Sequence, residues 1–97
     1  MNSKIDLREL NKLEQHLKKN GYRYERIDDD SHYLCFHQLI VYDQEWNRQF
    51  DVVCHFASYG GRQGLLETMG YIVPKGKEIE GNLTADDVIA RMREHGI

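Results

Sequence analysis

Ninety-seven residues allow a single domain, because a second core would leave each half too little apolar surface to bury. A hydrophobic share of 40%, a charged share of 30% and one proline exclude an intrinsically disordered chain, and a formal charge of −3 excludes the basic field of a non-specific duplex binder. No apolar run approaches the ~20 residues of a membrane-spanning helix. The opening stretch MNSKIDLREL lacks the apolar core of a signal peptide, so the expected location is the cytoplasm, with no membrane partner.

The first predicted element is a helix, because Leu10, Leu13 and Leu17 recur at helical spacing and Asp6 with Glu9 resembles a capping pair at its start. Lys18 and Lys19 suit the negative end of its dipole, and Asn20 with Gly21 suits its termination. Tyr22 to Ile27 alternates aromatic and charged residues and reads as an edge strand, closed by a turn at Asp28, Asp29, Asp30 and Ser31.

Two further segments, Tyr33 to Tyr42 and Gln49 to Phe56, are rich in β-branched and aromatic residues. The loop from Asp43 to Arg48 between them has hairpin length, with an Asn for a left-handed position, so the two should pair antiparallel. In the second, the two-residue period puts Phe50, Val52, Cys54 and Phe56 on the core side and Asp51, Val53 and His55 on the other. In the first, Leu34, Phe36 and Ile40 share one face and Cys35, Leu39 and Val41 the other, so both faces should be partly covered.

Arg62 to Met69, with Leu65, Leu66 and Met69, reads as a short helix ended by Gly70. A turn at Pro74 to Lys77 and a polar stretch to Asn82 read as a loop or a small ribbon. The final helix starts at Thr84 as N-cap, with Leu83 and Val88 as a hydrophobic staple and Asp86 and Asp87 in the first turn. Its stripe of Ala85, Val88, Ile89 and Met92 should pack on the sheet, and Gly96 should stop it. The expected fold is therefore α+β, a three-stranded antiparallel sheet flanked by an N-terminal and a C-terminal helix, plus one short helix after the third strand.

Phe50 to Gly70 crowds polar and ionisable residues among glycines and is where function is expected. Ser58, Tyr59, Gly60, Gly61 and Arg62 precede the expected short helix, whose amides from Gly60 to Gln63 could hold an anion. A tight turn that needs glycine explains the same residues, and the motif lacks the ending of a P-loop. Asp51 and His55, beside His37, are the acid–base set if the chain is an enzyme. His32, His37, His55, Cys35 and Cys54 would supply zinc ligands, but their spacing is not that of a structural site and Cys54 and His55 point to opposite faces. The cysteines read as reduced core side chains, so no catalytic set, metal or cofactor is expected.

The aromatics suggest contacts with another protein. Trp46 at the hairpin tip is either folded on the core or exposed as an anchor, and Tyr59 sits at the Gly-rich turn. The binding set is thus Trp46, Asp51, His55, Ser58, Tyr59, Gly60, Gly61 and Arg62. Single-stranded nucleic acid, through Arg23, Arg26, Arg62, Lys75 and Lys77, is the less favoured partner. The oligomeric state is open.

The stretch HQLIVYDQEWNRQFDVVCHFASYGGRQGLLETMG followed by LTADDVIARM resembles small uncharacterised proteins of phages and conjugative elements of gut Firmicutes. The resemblance runs from His37 to Met92 and implies a mobile-element setting. Short acidic α+β proteins of that setting include anti-CRISPR inhibitors of host defence. It assigns no activity and no site residue; the expectation of a non-catalytic accessory protein rests on the aromatic-rich loops and the lack of a complete catalytic or metal set. The interspersed Lys and Arg and the small net charge depart from a strong DNA mimic.

Overall fold

The computed structural model describes residues 5–97. The first four, part of the stretch read above for a signal peptide, lie outside the described residues. Helix α1 spans Arg8–Lys19 and buries Leu10, Leu13 and Leu17 completely, as their spacing requires. Its start departs from the expected capping pair. The Arg8 amide and guanidinium both donate to Asp6, whereas Glu9 turns away and accepts the Ala85 N–H at 2.7 Å. An acid in the first turn of one helix thereby satisfies an orphan amide of the other.

Five strands follow: β1 (Arg23–Asp29), β2 (Phe36–Tyr42), β3 (Arg48–Cys54), β4 (Leu66–Gly70) and β5 (Ile79–Leu83), before α2 (Ala85–Glu94). They form one sheet in the order β1-β2-β3-β4-β5, each neighbour antiparallel. The expected three-stranded sheet is corrected to five, and the expected helix from Arg62 to Met69 to a single 3-10 turn at Gly61–Gln63. Leu65, Leu66 and Met69 fit a helical spacing, but Gly64 at φ +75 packs against Asp6 and ends the turn. The chain then pairs with β3, Val53 opposite Glu67 and Asp51 opposite Met69, while the Thr68 hydroxyl donates to the Asp51 carbonyl at 2.7 Å. Strand β5 escapes the reading because Gly81 and Asn82 (φ +58) break its alternation and bulge the ladder.

Both helices lie on one face. The leucines of α1, with Ala85, Val88 and Met92 of α2, meet Leu39, Val41, Phe50, Val52, Cys54 and Leu66 in one core. Each fully buried leucine contributes about 2 kcal/mol by area. Polar pairs rim this face: Tyr24 and Arg26 of β1 donate to Glu14 of α1, and Arg91 of α2 donates twice to Glu80 of β5. Strand β2 begins at Phe36, one residue after Cys35 at φ +51, so His37 rather than Cys35 opens the inward row with Leu39 and Val41. Helix α2 has the expected Thr84 cap in a reciprocal box with Asp87. Among the described residues no helix is long and apolar enough to cross a membrane.

Candidate functional site

The side chains of the sheet that point away from the helices make up a second face, over which no helix lies among the described residues. The two-residue period assigns to it Gln38 and Ile40 of β2, Asp51 and Val53 of β3, and Glu67 and Met69 of β4. Its polar members are held in place. Asp51, only 6% exposed, accepts from the Gln38 amide at 2.6 Å and pairs with Arg48 at 3.0 Å. Glu67, 9% exposed, accepts the Tyr59 N–H at 3.1 Å. A shallow hollow of about 370 Å³ opens beside Asp51, between Arg48, Gln49, Met69 and Gly70.

The three residues of the acid–base reading do not meet. Asp51 and His55 share a face but are four residues apart along an extended chain, about 13 Å at the rise of a strand. His37 lies on the opposite face, 2% exposed, with Nδ1 at 2.6 Å from Asp28 and Nε2 at 3.1 Å from Asp30. Partial burial pushes the Asp28 carboxyl up, but hydrogen bonds from His37 and Arg26 outweigh it and hold the group below its ordinary value. The zinc candidates are likewise divided between the faces, and among the described residues no three His, Cys, Asp or Glu side chains converge as ligands. Cys54 is buried beside Asp6, which together push its thiol up to about 11 and leave it a poor nucleophile.

The Gly-rich corner between β3 and β4 is knit from its own polar groups. The His55 N–H donates to Ser58 Oγ at 3.0 Å, while the His55 carbonyl accepts from the Ser58 hydroxyl and amide. Gly61 is buried so close beneath this turn that a Cβ would collide with the His55 carbonyl oxygen. The Gly61 N–H donates to Ser58 and the Gln63 N–H to Gly60, so both amides are spent within the turn, and Arg62 lies over the Phe56 ring at 5.4 Å. His55, Ser58, Gly60 and Gly61 are therefore adjacent because the turn requires them. The anion cradle expected from Gly60 to Gln63 loses its helix and these donors.

Two aromatics project from opposite ends of this half of the molecule. Tyr59 is 65% exposed, although its backbone is fixed by Glu67 through its N–H, by the Asn82 N–H through its carbonyl, and by Gly81 packed beneath its Cβ. Trp46 is 59% exposed at the hairpin tip, with Arg23 over its ring at 4.8 Å and Tyr42 tilted against it at 5.6 Å. Trp46, not the neighbouring Asn47, takes the left-handed position, at φ +65. Of the cations assigned to nucleic acid, Arg26 is committed to Glu14, Asp28 and Asn11 on the helix face, and Lys75 and Lys77 lie in the β4–β5 connection.

Sequence reasoning missed Gln38 and weighed Glu67 only as a nuclease carboxylate set aside, not the roles of these two groups in fixing Asp51 and Tyr59. Their signal was the register: once Leu66–Gly70 is a strand, Glu67 falls beside Val53 on the face away from the helices. No protein-family model, curated protein or solved structure matches this chain.

Proposed function

We propose that the chain is a non-catalytic binding protein that contacts another protein through the Trp46 tip, with Tyr59 as a second anchor. The observation that carries this reading is Trp46 itself. A bulky residue at φ +65 is disfavoured by about 1 kcal/mol, a position where Asn or Gly sits at little cost, and here it also leaves an indole in water. Backbone strain retained by an exposed aromatic points to use rather than to folding. Asp43 fixes the loop beneath it, so little conformational entropy is lost when the ring meets a partner. The resemblance across His37 to Met92 supplies the setting, a phage or mobile element, in which the partner is a component of a host defence system and the action is inhibition by occupancy, as in anti-CRISPR proteins.

Trp46→Asn relieves the strained position and removes the indole. The free variant should melt within about 1 kcal/mol of the parent, and it should fail to capture the partner that the parent retrieves from a host lysate. Tyr59→Ala should weaken the same capture. Unchanged retrieval by both variants would overturn the reading.

A further inference from the structure

The rings just before and at the start of β2 and just after β3 form a chain of contacts, two stacked pairs joined by one tilted pair. Tyr33 lies on His32 with centroids 4.7 Å apart, His32 approaches Phe36 at 6.2 Å, and Phe36 stacks on His55 at 5.4 Å. The Phe56 N–H donates to the Leu34 carbonyl at 2.9 Å alongside, so the stack ties the β1–β2 loop to the Gly-rich corner.

The two imidazoles make the same local bond. His32 Nδ1 accepts the Leu34 N–H at 3.1 Å, and His55 Nδ1 accepts the Ala57 N–H at 3.1 Å. An amide N–H can only donate, so in both rings Nδ1 presents its lone pair and the single proton resides on Nε2. A second proton must go to Nδ1. On His55 it would turn the acceptor into a donor facing the Ala57 donor.

We propose that the His55 ring, stacked on Phe36, is an acid-released latch: protonation of its Nδ1 breaks the Ala57 bond and loosens the 55–58 turn. The charges around His55 set the balance. Glu67 of β4 faces it and favours the proton, but is already engaged by the Tyr59 N–H; His32 opposes it from the β1–β2 loop. Asp29 accepts the His32 N–H, Arg62 lies over the adjacent Phe56, and His37 with Asp28 and Asp30 is on the other side of β2. Burial lowers the His55 pKa below its ordinary 6.5, Glu67 pulls it back, and His32 lowers it further, with a net downward shift. The sign follows. The stability of the closed corner is fully present above 6.5 and is lost as pH falls through the lower value of the folded state. The latch is a property of the chain alone and holds whether or not Tyr59 meets a partner.

Hydrogen exchange read by NMR on the full chain tests it, with His55→Asn as control, because the Asn side-chain oxygen can accept the N–H two residues ahead without titrating. In the parent, the protection factor of the Ala57 amide should fall as pH drops below 6.5, by up to about tenfold per pH unit, and that of the Ser58 amide, which closes the same turn, should follow. In His55→Asn both should stay level. Level protection in the parent, or an equal fall in the variant, would overturn the proposal. The imidazole nitrogen shifts of the parent give an independent reading that needs no substitution. Nδ1 of His55 should report as the unprotonated nitrogen at pH 8, and a proton found there would also overturn it.

Discussion

Strand β3 is bounded by two turns that present an exposed aromatic by opposite means. At its start, one side chain does the work. The Asp43 carboxylate accepts the Glu45 and Asn47 amides at 2.8 Å each and the Asn47 side chain at 3.1 Å, and the strained Trp46 is left pointing outward. At its end, the 55–61 corner relies on backbone proximity, with Gly61 beneath the His55 carbonyl and the His55 ring and Ser58 hydroxyl closing local bonds. The first turn tolerates its neighbours and depends on a charge. The second depends on shape and on an uncharged ring, so the two should fail under different insults.

Gly61→Ala is the sharpest way to separate them. A Cβ there has backbone above it and nowhere to go, so the variant should lose about 3 kcal/mol of unfolding free energy, read from urea melts. The fluorescence of Trp46, the one tryptophan in the chain, should remain that of the parent below the transition. Asp43→Ala should reverse the pattern, with a smaller fall in stability and a changed Trp46 emission, while exchange at Ala57 stays as in the parent.

Acid makes the same contrast without substitution. The Asn47 amide and then its side chain hold the Asp43 carboxyl below its ordinary 3.8, so the support this gives the loop is complete above 3.8 and fades as pH falls through the lower folded value. Trp46 emission should therefore be level in the interval just below pH 6.5, where the other turn should loosen. A transition of Trp46 in that interval would mean that the two turns are coupled through β3. The smallest effect should come from Arg23→Met, which removes the cation from the indole face and should cost about 0.5 kcal/mol, with a shift in emission larger than its effect on melting would suggest.

The helices were legible because their signals are local: leucines at helical spacing in α1, and Thr84 with Asp87 at the start of α2. The β2–β3 pairing was legible too, including the inward row of Phe50, Val52 and Cys54. Strand β4 was not, because Leu65, Leu66 and Met69 satisfy a helical template. What overrides it is a long-range fact, the close approach of Gly64 to Asp6, together with pairing to β3. The candidate site was legible as a list of residues but not as an arrangement. Asp51 and His55 carry suggestive chemistry, yet one is clamped by Gln38 and Arg48 and the other builds its own turn. Trp46 was left as either folded on the core or exposed, and it is exposed, while its left-handed backbone was assigned to the neighbouring Asn47, by composition the better occupant.

The bond from the Ala85 amide to Glu9 bears on the order in which the chain assembles. Each strand pairs with its neighbour in sequence, so every hairpin can close as soon as its second strand is made. Helix α1 is made first, yet the element that completes the cover of its leucines carries an amide 76 residues further on. At a synthesis rate of roughly 5–20 residues per second, that interval is about 4–15 s. The earliest apolar surface in the chain thus waits longest for its partner, and the arrival of α2 is the step that seals the core.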